Sequence, residues 1–260
     1  MGYNIKKHAI AEEEDVMHKY KGIVFDLDGT LVNSLEDLID SVNGIMKYHQ
    51  FPTHSYEVGK RFIGRGLRNL TRDALPEKYR DDEAFVDKLT EMVRSEYSAN
   101  YLKKTKPYPG ITKLLDYLKA NDIPWAVCTN KPDLEAKTLV KALLGQYDYV
   151  DVRGFTKDAL RKPNPAVSLE LVAKMGLTPQ QCLYVGDSTV DYETAIRAEM
   201  LPVLCTWGFE SFEVLTKLED AIWLHNPMRI VDALRYGREM YSVFNEHPDP
   251  NPDAQKKKHR

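Results

Sequence analysis

The chain has 260 residues, 43% of them hydrophobic, which is enough for one large domain or two modest ones with a buried core. Lys and Arg total 36 against 39 Asp and Glu, and the net charge of -3 gives no reason to expect nucleic acid or an anionic membrane as a partner. The apolar runs are strand-sized and the first twenty residues lack the apolar stretch of a secretory signal. We therefore expect no membrane span and a cytoplasmic protein.

Short apolar segments that alternate with helical patterns predict the fold class. After a polar N-terminal extension, residues 1–20, the expected strands are GIVF, IPWAVCT, YDYVDV, QCLYVGD, LPVLCTW and DAIWLH. Strands and helices in alternation predict an α/β fold, a Rossmann-like parallel sheet with helices on both faces. The three cysteines, Cys128, Cys182 and Cys205, lie in or beside these strands without CxxC spacing, so we interpret them as small buried hydrophobes.

Residues 33–106 interrupt this alternation with a predicted helical insertion. Ser34 and Asp37 resemble a capping box, and apolar residues repeat at helical spacing after Ser34 and again over 85–97. The exit KTKPYPG is a stiff connector of the kind found at domain boundaries. We therefore predict a discontinuous core of residues 21–32 and 107–240, a helical domain of residues 33–106, and a disordered tail of residues 241–260.

Polar and charged side chains follow several predicted strands at the points where these strands end. In an open parallel sheet, ligands bind outside the carboxyl ends of the strands. We therefore expect one site to be formed by Asp26 and Asp28 after the first strand, Thr129 and Asn130 after the second, Asp187 after the fourth, and Lys162 in the loop ALRKPNP.

The acidic residues of this predicted site call for a cation. Asp26 and Asp28 point to the same side, about 7 Å apart along the backbone, because side chains alternate along an extended segment. Asp187 and Asp191 also share one side if the turn there is helical. Four crowded carboxylates repel one another, and oxygen ligands without His or thiolate favour Mg²⁺. With Lys162 and one Mg²⁺ the site keeps a single negative charge, which a phosphate dianion can approach.

Each of these residues also has a purely structural interpretation. FDLDG is compatible with a strand followed by an Asp-Gly turn, and Thr129 with Asn130 could cap a helix that begins near Pro132. Lys162 could be a solvated loop charge. Asp191 could complement a helix dipole in the first helical turn.

Four motifs in chain order favour the functional interpretation. FDLDGT, CTNK, RKPNP and GDSTVD resemble the four sequence motifs of the haloacid dehalogenase superfamily, and the helical insertion resembles its inserted α-helical cap domain. The resemblance covers roughly residues 21 to 235. Within the superfamily the chain is most similar to the phosphoglycolate phosphatase group, through FIGRGLRNLTRDAL in the cap, TNKP and GDSTVD.

The resemblance implies a role for each motif residue. Asp26 would be the nucleophile that becomes an aspartyl-phosphate, and Asp28 the general acid and base. Thr129, the backbone of Asn130, and Lys162 would hold the phosphoryl oxygens.

The resemblance also implies a metal site. The Asp26 carboxylate, the main-chain carbonyl of Asp28, and Asp187 would bind Mg²⁺. Asp191 would act through water or by orienting Lys162.

The loop IGRGL is the candidate for substrate recognition by the cap. Gly64 and Gly66 would let the backbone approach the site, while Arg65 supplied a cation for a substrate carboxylate. The alternatives are an ordinary turn between helices with an exposed arginine, or a loop in which Arg68 faces inward instead.

Together these patterns predict a Mg²⁺-dependent phosphatase of small phosphorylated metabolites, with 2-phosphoglycolate as the first candidate substrate. A DxD motif is not usual in the dehalogenases, and Thr30 is not usual in the β-phosphoglucomutase relatives, so both features favour a phosphatase. The alternatives are a phosphomutase, a sugar-phosphate or pyrophosphate phosphatase, and a non-catalytic relative that binds anions. We expect a monomer or a homodimer.

Overall fold

The computed structural model describes residues 18–63 and 66–243. Most of the predicted N-terminal extension and C-terminal tail, and Arg65 of the predicted cap loop, lie outside these residues. No helix in the described ranges is both long enough and apolar enough to cross a membrane.

The strands and helices alternate as predicted outside the insertion. In chain order the strands are β1 Gly22–Phe25, β2 Val32–Asn33, β3 Lys106–Pro107, β4 Trp125–Pro132, β5 Val152–Phe155, β6 Cys182–Gly186, β7 Leu201–Cys205 and β8 Ile222–Leu224. The helices are α1 Leu35–Tyr48, α2 Tyr56–Lys60, α3 Leu67–Ala74, α4 Glu83–Asn100, α5 Ile111–Ala120, α6 Asp133–Leu144, α7 Ala166–Lys174, α8 Thr189–Arg197, α9 Phe212–Leu215, α10 Ile230–Tyr236 and α11 Met240–Val243.

Six of the strands form one parallel sheet in the order β5-β4-β1-β6-β7-β8. Val24 packs into the hydrophobic cluster on one face of β1, while Ile23 and Phe25 pack into the cluster on the other face. All three side chains are fully buried, which explains why this strand is a continuous apolar run. The fold class predicted from the sequence, a parallel sheet covered by helices on both faces, is confirmed.

The topology of the sheet determines where ligands can bind. The chain leaves β1 for β4 and β5 on one side, then returns to β6, β7 and β8 on the other. Phe25 is aligned with Val127 of β4 and Val185 of β6, so these three strands end at the same edge. The switch in strand order therefore opens a crevice beside the end of β1.

Helices α1 to α4 have a hydrophobic cluster of their own, separate from the clusters that contain residues of the sheet. The segments that lead into and out of these helices pair as the antiparallel strands β2 and β3. The pairing brings the two ends of the insertion together, and the division into a core and a cap domain with a boundary near residues 33 and 106 stays a prediction.

The predicted capping box at the start of α1 is wrong. Ser34 precedes the helix, but its side chain makes no capping hydrogen bond. The Asp37 carboxylate instead accepts hydrogen bonds from the backbone amides of Lys104 and Thr105 and from the Thr105 hydroxyl, at 2.8–3.0 Å. A buried carboxylate is a strong acceptor for backbone amides that have no other partner. Here those amides are on the returning connector, 67 residues away in sequence.

The strand predicted over residues 147–152 is displaced toward the C-terminus. The amide of Tyr147 donates to the carbonyl of Leu144, which continues the turn that follows α6. Val150 and Asp151 already share backbone hydrogen bonds with β4, but the first aligned residue of β5 is Val152, opposite Val127, and the strand ends at Phe155. Gly154 is the residue that fits inside this strand, because a Cβ there would overlap the backbone of Lys131 and Asp133. The segment YDYVDV, on which the prediction was based, gives no sign of this close approach.

The interpretation of the cysteines is confirmed. Cys128, Cys182 and Cys205 are buried free thiols in β4, β6 and β7.

Candidate active site

A buried ammonium between two carboxylates lies at the edge where β1 and β6 end. The Lys162 Nζ is 2.7 Å from Asp26 Oδ1 and 2.7 Å from Asp191 Oδ1. Exposed fractions of these side chains are 5% for Lys162, 11% for Asp26 and 1% for Asp191. The structure thus brings Asp26 together with two predicted site residues that lie more than 130 positions further along the chain.

Asn130 holds the loop that carries Lys162. Its side-chain carbonyl accepts from the backbone amide of Lys162 at 2.8 Å, and its side-chain amide donates to the Lys162 carbonyl at 3.1 Å. Sequence reasoning predicted a phosphate contact by the backbone of Asn130 and did not anticipate this pairing. Thr129 is buried at the end of the same strand, where its hydroxyl accepts from the Lys131 amide.

Asp187 and Asp191 are fixed by the start of α8. Ser188 caps this helix with a reciprocal pair of hydrogen bonds to Asp191, whose Oδ2 also accepts from the Asp187 amide at 3.1 Å. Asp187 accepts from the Thr30 hydroxyl at 3.2 Å and from the Phe209 amide at 2.6 Å. These donors position both carboxylates before any ligand binds.

Glycines surround the carboxylates where a larger residue cannot fit. A Cβ at Gly29 or Gly208 would overlap the Asp187 side chain, and a Cβ at Gly186 would overlap Asp191. The φ angle of Gly29 is +88°, in the region that favours glycine. The glycines of FDLDGT and GDSTVD therefore leave space for packed acidic groups.

The charges of this cluster are not balanced within the described residues. Oxygen atoms of Asp26, Asp187 and Asp191 lie within 4.8 Å of one another, and Lys162 is the ammonium that contacts two of these groups. Burial and the nearby Asp191 raise the pKa of Asp26 to about 7, although Lys162 opposes the shift. Burial also raises the pKa of Asp187 well above its usual range, and Asp191 and Asp26 add to the effect.

The donor set of this cluster fits a hard divalent cation. Three buried carboxylates and one ammonium leave two uncompensated negative charges, and all of the candidate ligand atoms are oxygens. Of the residues predicted to bind the metal, Asp26 and Asp187 belong to this group, and Asp191 joins it. The carboxylate of Asp28 points to a different partner, and coordination by its main-chain carbonyl stays a prediction.

The partner of Asp28 is Lys131, which sequence reasoning did not single out. The Lys131 Nζ is 3.3 and 3.2 Å from the two carboxylate oxygens of Asp28, and it donates to the hydroxyl of Tyr97 at 2.7 Å. Lys131 follows TN in the motif TNKP, so its position was visible in the sequence. Tyr97 lies on α4. In the sequence it is one of the residues of an apolar helix face, so the pattern did not indicate a role for its hydroxyl.

A cavity of about 570 Å³ lies between the sheet edge and helices α3 and α4. Asp26, Asp28, Thr129, Asn130, Lys131, Lys162 and Asp187 line its floor, and Gly66, Arg68, Thr90, Arg94 and Tyr97 line its roof. Gly66 lies close to Arg161 of the core, since a Cβ on this glycine would be 3.8 Å from the Arg161 guanidinium. These predicted site residues therefore face the predicted cap across one cavity.

Arg68 faces this cavity but is already paired. Its guanidinium contacts Glu83 and Asp87 at 2.6 Å each. These acidic residues occupy the donors that a substrate carboxylate would need. The structure therefore gives less support than the sequence did to the alternative in which Arg68 is the inward cation.

Comparison with known families identifies the family of the chain. A model of the haloacid dehalogenase-like hydrolases matches residues 23–204. The chain belongs to this family. The match spans all four motifs and the helical insertion, and the recognition of the family from those motifs is confirmed.

Two curated relatives of the chain are named phosphoglycolate phosphatases. The chain is 34% identical over 196 residues to a phosphoglycolate phosphatase of Mannheimia succiniciproducens. The aligned region covers 74% of this chain and 88% of the relative. The chain is 32% identical over 217 residues to phosphoglycolate phosphatase 1 of Pseudomonas aeruginosa, covering 82% and 76%. The prediction of a phosphoglycolate phosphatase-like hydrolase is confirmed by these similarities.

Solved structures of haloacid dehalogenase-like proteins have the same architecture. A predicted phosphoglycolate phosphatase of Haemophilus somnus superposes with a TM-score of 0.73 at 29% identity, over 83% of this chain and 98% of that chain. A haloacid dehalogenase-like hydrolase of Streptococcus pneumoniae superposes with a TM-score of 0.72 at 22% identity, over 82% and 98%. At that lower identity the second likeness supports the fold alone.

Proposed function

We propose that the protein is a Mg²⁺-dependent phosphatase that hydrolyses small phosphomonoesters through an aspartyl-phosphate on Asp26, with 2-phosphoglycolate as its principal substrate. One observation carries the proposal. The Asp26 carboxylate lies beside the buried Lys162 ammonium at 2.7 Å and lines the cavity, so a nucleophile and a cation for phosphoryl oxygens face the same space.

In the first step an Asp26 oxygen forms a bond to phosphorus while the bond from phosphorus to the ester oxygen breaks. Asp28, two residues further on, gives a proton to the departing alkoxide. Lys162 and the Thr129 hydroxyl face the phosphoryl group, where charge spreads over three oxygens during transfer. The amides at the start of α6, next to Pro132, add partial positive charge from the helix N-terminus.

In the second step water hydrolyses the aspartyl-phosphate. Asp28 takes a proton from the water as its oxygen forms a bond to phosphorus, and the bond between phosphorus and Asp26 breaks. Orthophosphate leaves, and Asp26 and Asp28 return to their starting states. Dividing one difficult displacement between two in-line attacks is the advantage of a covalent intermediate.

Asp26, Asp187 and Asp191 would hold the metal, together with the main-chain carbonyl of Asp28 as implied by the family resemblance. When bound there, Mg²⁺ would supply positive charge that offsets the acidic cluster and the charge of the phosphoryl oxygens. Lys162 bridges Asp26, which lines the cavity, and Asp191, which is buried behind it. The role proposed for Asp191 is to orient Lys162, and its closeness to the other two acids supports a contribution to the metal site as well.

The size of the cavity and the names of the relatives support a small substrate. A space of about 570 Å³ lies in the range typical of small-molecule sites, and the phosphate group occupies its floor. The two relatives described above, at 34% and 32% identity, are named phosphoglycolate phosphatases. Arg65 and Gly66 in the cap loop remain the residues that we propose for the substrate carboxylate, with Gly66 on the roof of the cavity.

Release of orthophosphate tests the proposal. The purified chain is assayed with Mg²⁺ against a panel of phosphate esters that includes 2-phosphoglycolate, glucose 1-phosphate and pyrophosphate. We expect hydrolysis, with the highest kcat/KM for 2-phosphoglycolate. Transfer of phosphate to a second position of a sugar would instead indicate a mutase, and binding of the esters without any turnover would indicate a non-catalytic relative.

A further inference from the structure

Lys131 is a buried cation that the proposed mechanism does not use. It belongs to β4, two residues beyond Thr129, and its side chain is 4% exposed. The ammonium lies 3.2 Å from an Asp28 oxygen and donates to the Tyr97 hydroxyl at 2.7 Å. It therefore joins a carboxylate of the core to a tyrosine of the helical insertion.

The surroundings of Lys131 come from three elements. Asp28 approaches from the loop after β1, Tyr97 and Tyr101 from the end of α4, and Glu135 from the first turn of α6. The ammonium lies 4.5 Å from the centroid of the Tyr97 ring and 5.9 Å from that of Tyr101. Burial would lower the pKa of Lys131, but Asp28 and Tyr97 raise it above its usual range, so the group is an ammonium at neutral pH.

This arrangement constrains Asp28 more than it constrains Lys131. Lys131 has the Tyr97 hydroxyl and the aromatic rings to hold its ammonium in place. The Asp28 side chain, by contrast, is 20% exposed to the cavity, and its carboxylate bonds in the described structure go to Lys131. A partly exposed carboxylate on the floor of the cavity is oriented by its charged partner.

Tyr97 is well placed to make this contact depend on the insertion. Its hydroxyl is buried, and burial raises the pKa of the phenol above its usual range, so the group stays protonated. The neighbouring Ser98 hydroxyl donates to Glu135 of α6 at 2.8 Å. Two consecutive residues of α4 thus contact the core beside Asp28, and a movement of α4 away from the sheet would remove the hydroxyl that holds Lys131.

We propose that Lys131 is a positioning residue for Asp28, and that Tyr97 makes this positioning depend on the docking of α4 against the sheet. The inference rests on the proposed function, in which Asp28 protonates the leaving oxygen. Lys131 holds the carboxyl group of Asp28 in the direction of that oxygen. When α4 is docked, Tyr97 fixes the ammonium, so that the acid is in place only when the substrate is enclosed.

The test compares esters that differ in how much they need a proton donor. Wild type, Lys131→Met, Tyr97→Phe and Asp28→Asn are assayed with Mg²⁺ on 2-phosphoglycolate, on ethyl phosphate, which has no carboxylate, and on p-nitrophenyl phosphate, whose leaving group departs without a proton. Lys137→Met is the matched control, because this lysine lies on the exposed side of α6 and pairs with Asp133.

We expect Lys131→Met to lower kcat about 10²-fold for both alkyl esters and less than about 10-fold for the aryl ester. Tyr97→Phe should show the same selectivity with a loss of about 3-fold to 10-fold, since it removes one hydrogen bond. In combination with Asp28→Asn, the Lys131 substitution should cause little further loss, because both variants disable the same step. Lys137→Met should leave all three rates unchanged.

Three outcomes would overturn the inference. Equal losses for alkyl and aryl esters would assign Lys131 to phosphate binding or to the fold alone. A rise in KM confined to 2-phosphoglycolate would make Lys131 a ligand of the substrate carboxylate. Additive losses in the double variant would separate Lys131 from Asp28. Absence of turnover by the wild type with every ester would instead contradict the proposed function, and Tyr97→Phe, which removes a single oxygen, guards against a variant that fails to fold.

Discussion

The floor and the roof of the cavity hold their charges in different ways. On the floor, Lys162 contacts Asp26 and Asp191 with side chains that are 11% exposed or less. On the roof, Arg68 contacts Glu83 and Asp87 with side chains that are 41–60% exposed. Buried charges interact strongly and cannot exchange partners with water, whereas exposed pairs are screened and exchange readily. The floor is therefore suited to a reaction that needs charged groups in fixed positions, and the roof is suited to contacts that vary with the substrate.

The largest expected effect concerns the nucleophile on the floor. Asp26→Asn should lower kcat about 10³-fold or more on every ester, while the melting temperature stays the same or rises because one of the repelling carboxylates becomes neutral. Steady-state rates and thermal unfolding of the same preparation check both statements. Retention of full activity would overturn the assignment of Asp26.

Removal of one cation from each region sharpens the comparison. Lys162→Met leaves Asp26 and Asp191 buried without their ammonium, and we expect a loss of about 3–5 kcal/mol in the free energy of unfolding without metal. Arg68→Ala removes an exposed pair and should leave the free energy of unfolding nearly unchanged. Urea unfolding at pH 8 measures both variants. Equal losses would mean that the two regions do not differ as their burial suggests.

The metal-free protein should lose stability as the pH rises. Burial raises the pKa of Asp26 to about 7 from a usual value of 3.8, so the folded chain binds more protons than the unfolded chain in this interval. The stabilising contribution is complete below about pH 4 and is lost as the pH rises through about 7. Since Mg²⁺ competes with these protons, it should raise the melting temperature more at pH 8 than at pH 5.

Thermal scans with EDTA and with saturating Mg²⁺ measure this difference. A ligand at 100 times its dissociation constant stabilises by about 2.7 kcal/mol, which shifts the melting temperature of a domain of this size by several degrees. Asp187→Asn is the control, because it removes one of the proposed ligands and should reduce the shift. An identical Mg²⁺ shift in the control, or at both pH values, would argue against the metal site.

The smallest expected effect concerns the proposed recognition of the substrate carboxylate by the loop IGRGL. Arg65→Ala should raise KM for 2-phosphoglycolate about 10-fold, the effect of one lost charged hydrogen bond, with little change for p-nitrophenyl phosphate. Arg68→Ala is the comparison, because Glu83 and Asp87 occupy its guanidinium and a smaller change in KM is expected. A change in KM of the same size for both esters would remove Arg65 from the recognition of the carboxylate.

The floor was largely predictable from the sequence. Asp26 and Asp187 each follow an apolar strand directly, and the parallel sheet brings such strand ends to one edge whatever the rest of the chain does. Lys162 was identified through the motif RKPNP. Its two carboxylate contacts arise because the loop with this motif lies at the same edge of the sheet. Local pattern and global topology agree for these residues, which is the condition for a prediction from one sequence to succeed.

The connections between the sheet and the insertion were not predictable in the same way. Tyr97 lies on the apolar stripe of α4, so the pattern gave no sign that its hydroxyl meets Lys131. Asp37 has the spacing of a capping residue, yet it binds backbone amides of a connector 67 residues away. Such contacts depend on how two packed units meet, and a periodicity of 2 or 3.6 residues describes only one unit at a time.

A covalent intermediate on Asp26 is the feature that distinguishes the proposed mechanism from direct attack by water. Wild type with Mg²⁺ and 2-phosphoglycolate is quenched in acid during the first turnovers, digested, and analysed by mass spectrometry. The account predicts that the peptide containing Asp26 carries one phosphoryl group, that EDTA prevents its formation, and that Asp26→Asn abolishes it. A phosphoryl group on any other residue, or turnover without an acid-stable phosphoenzyme on Asp26, would contradict the account.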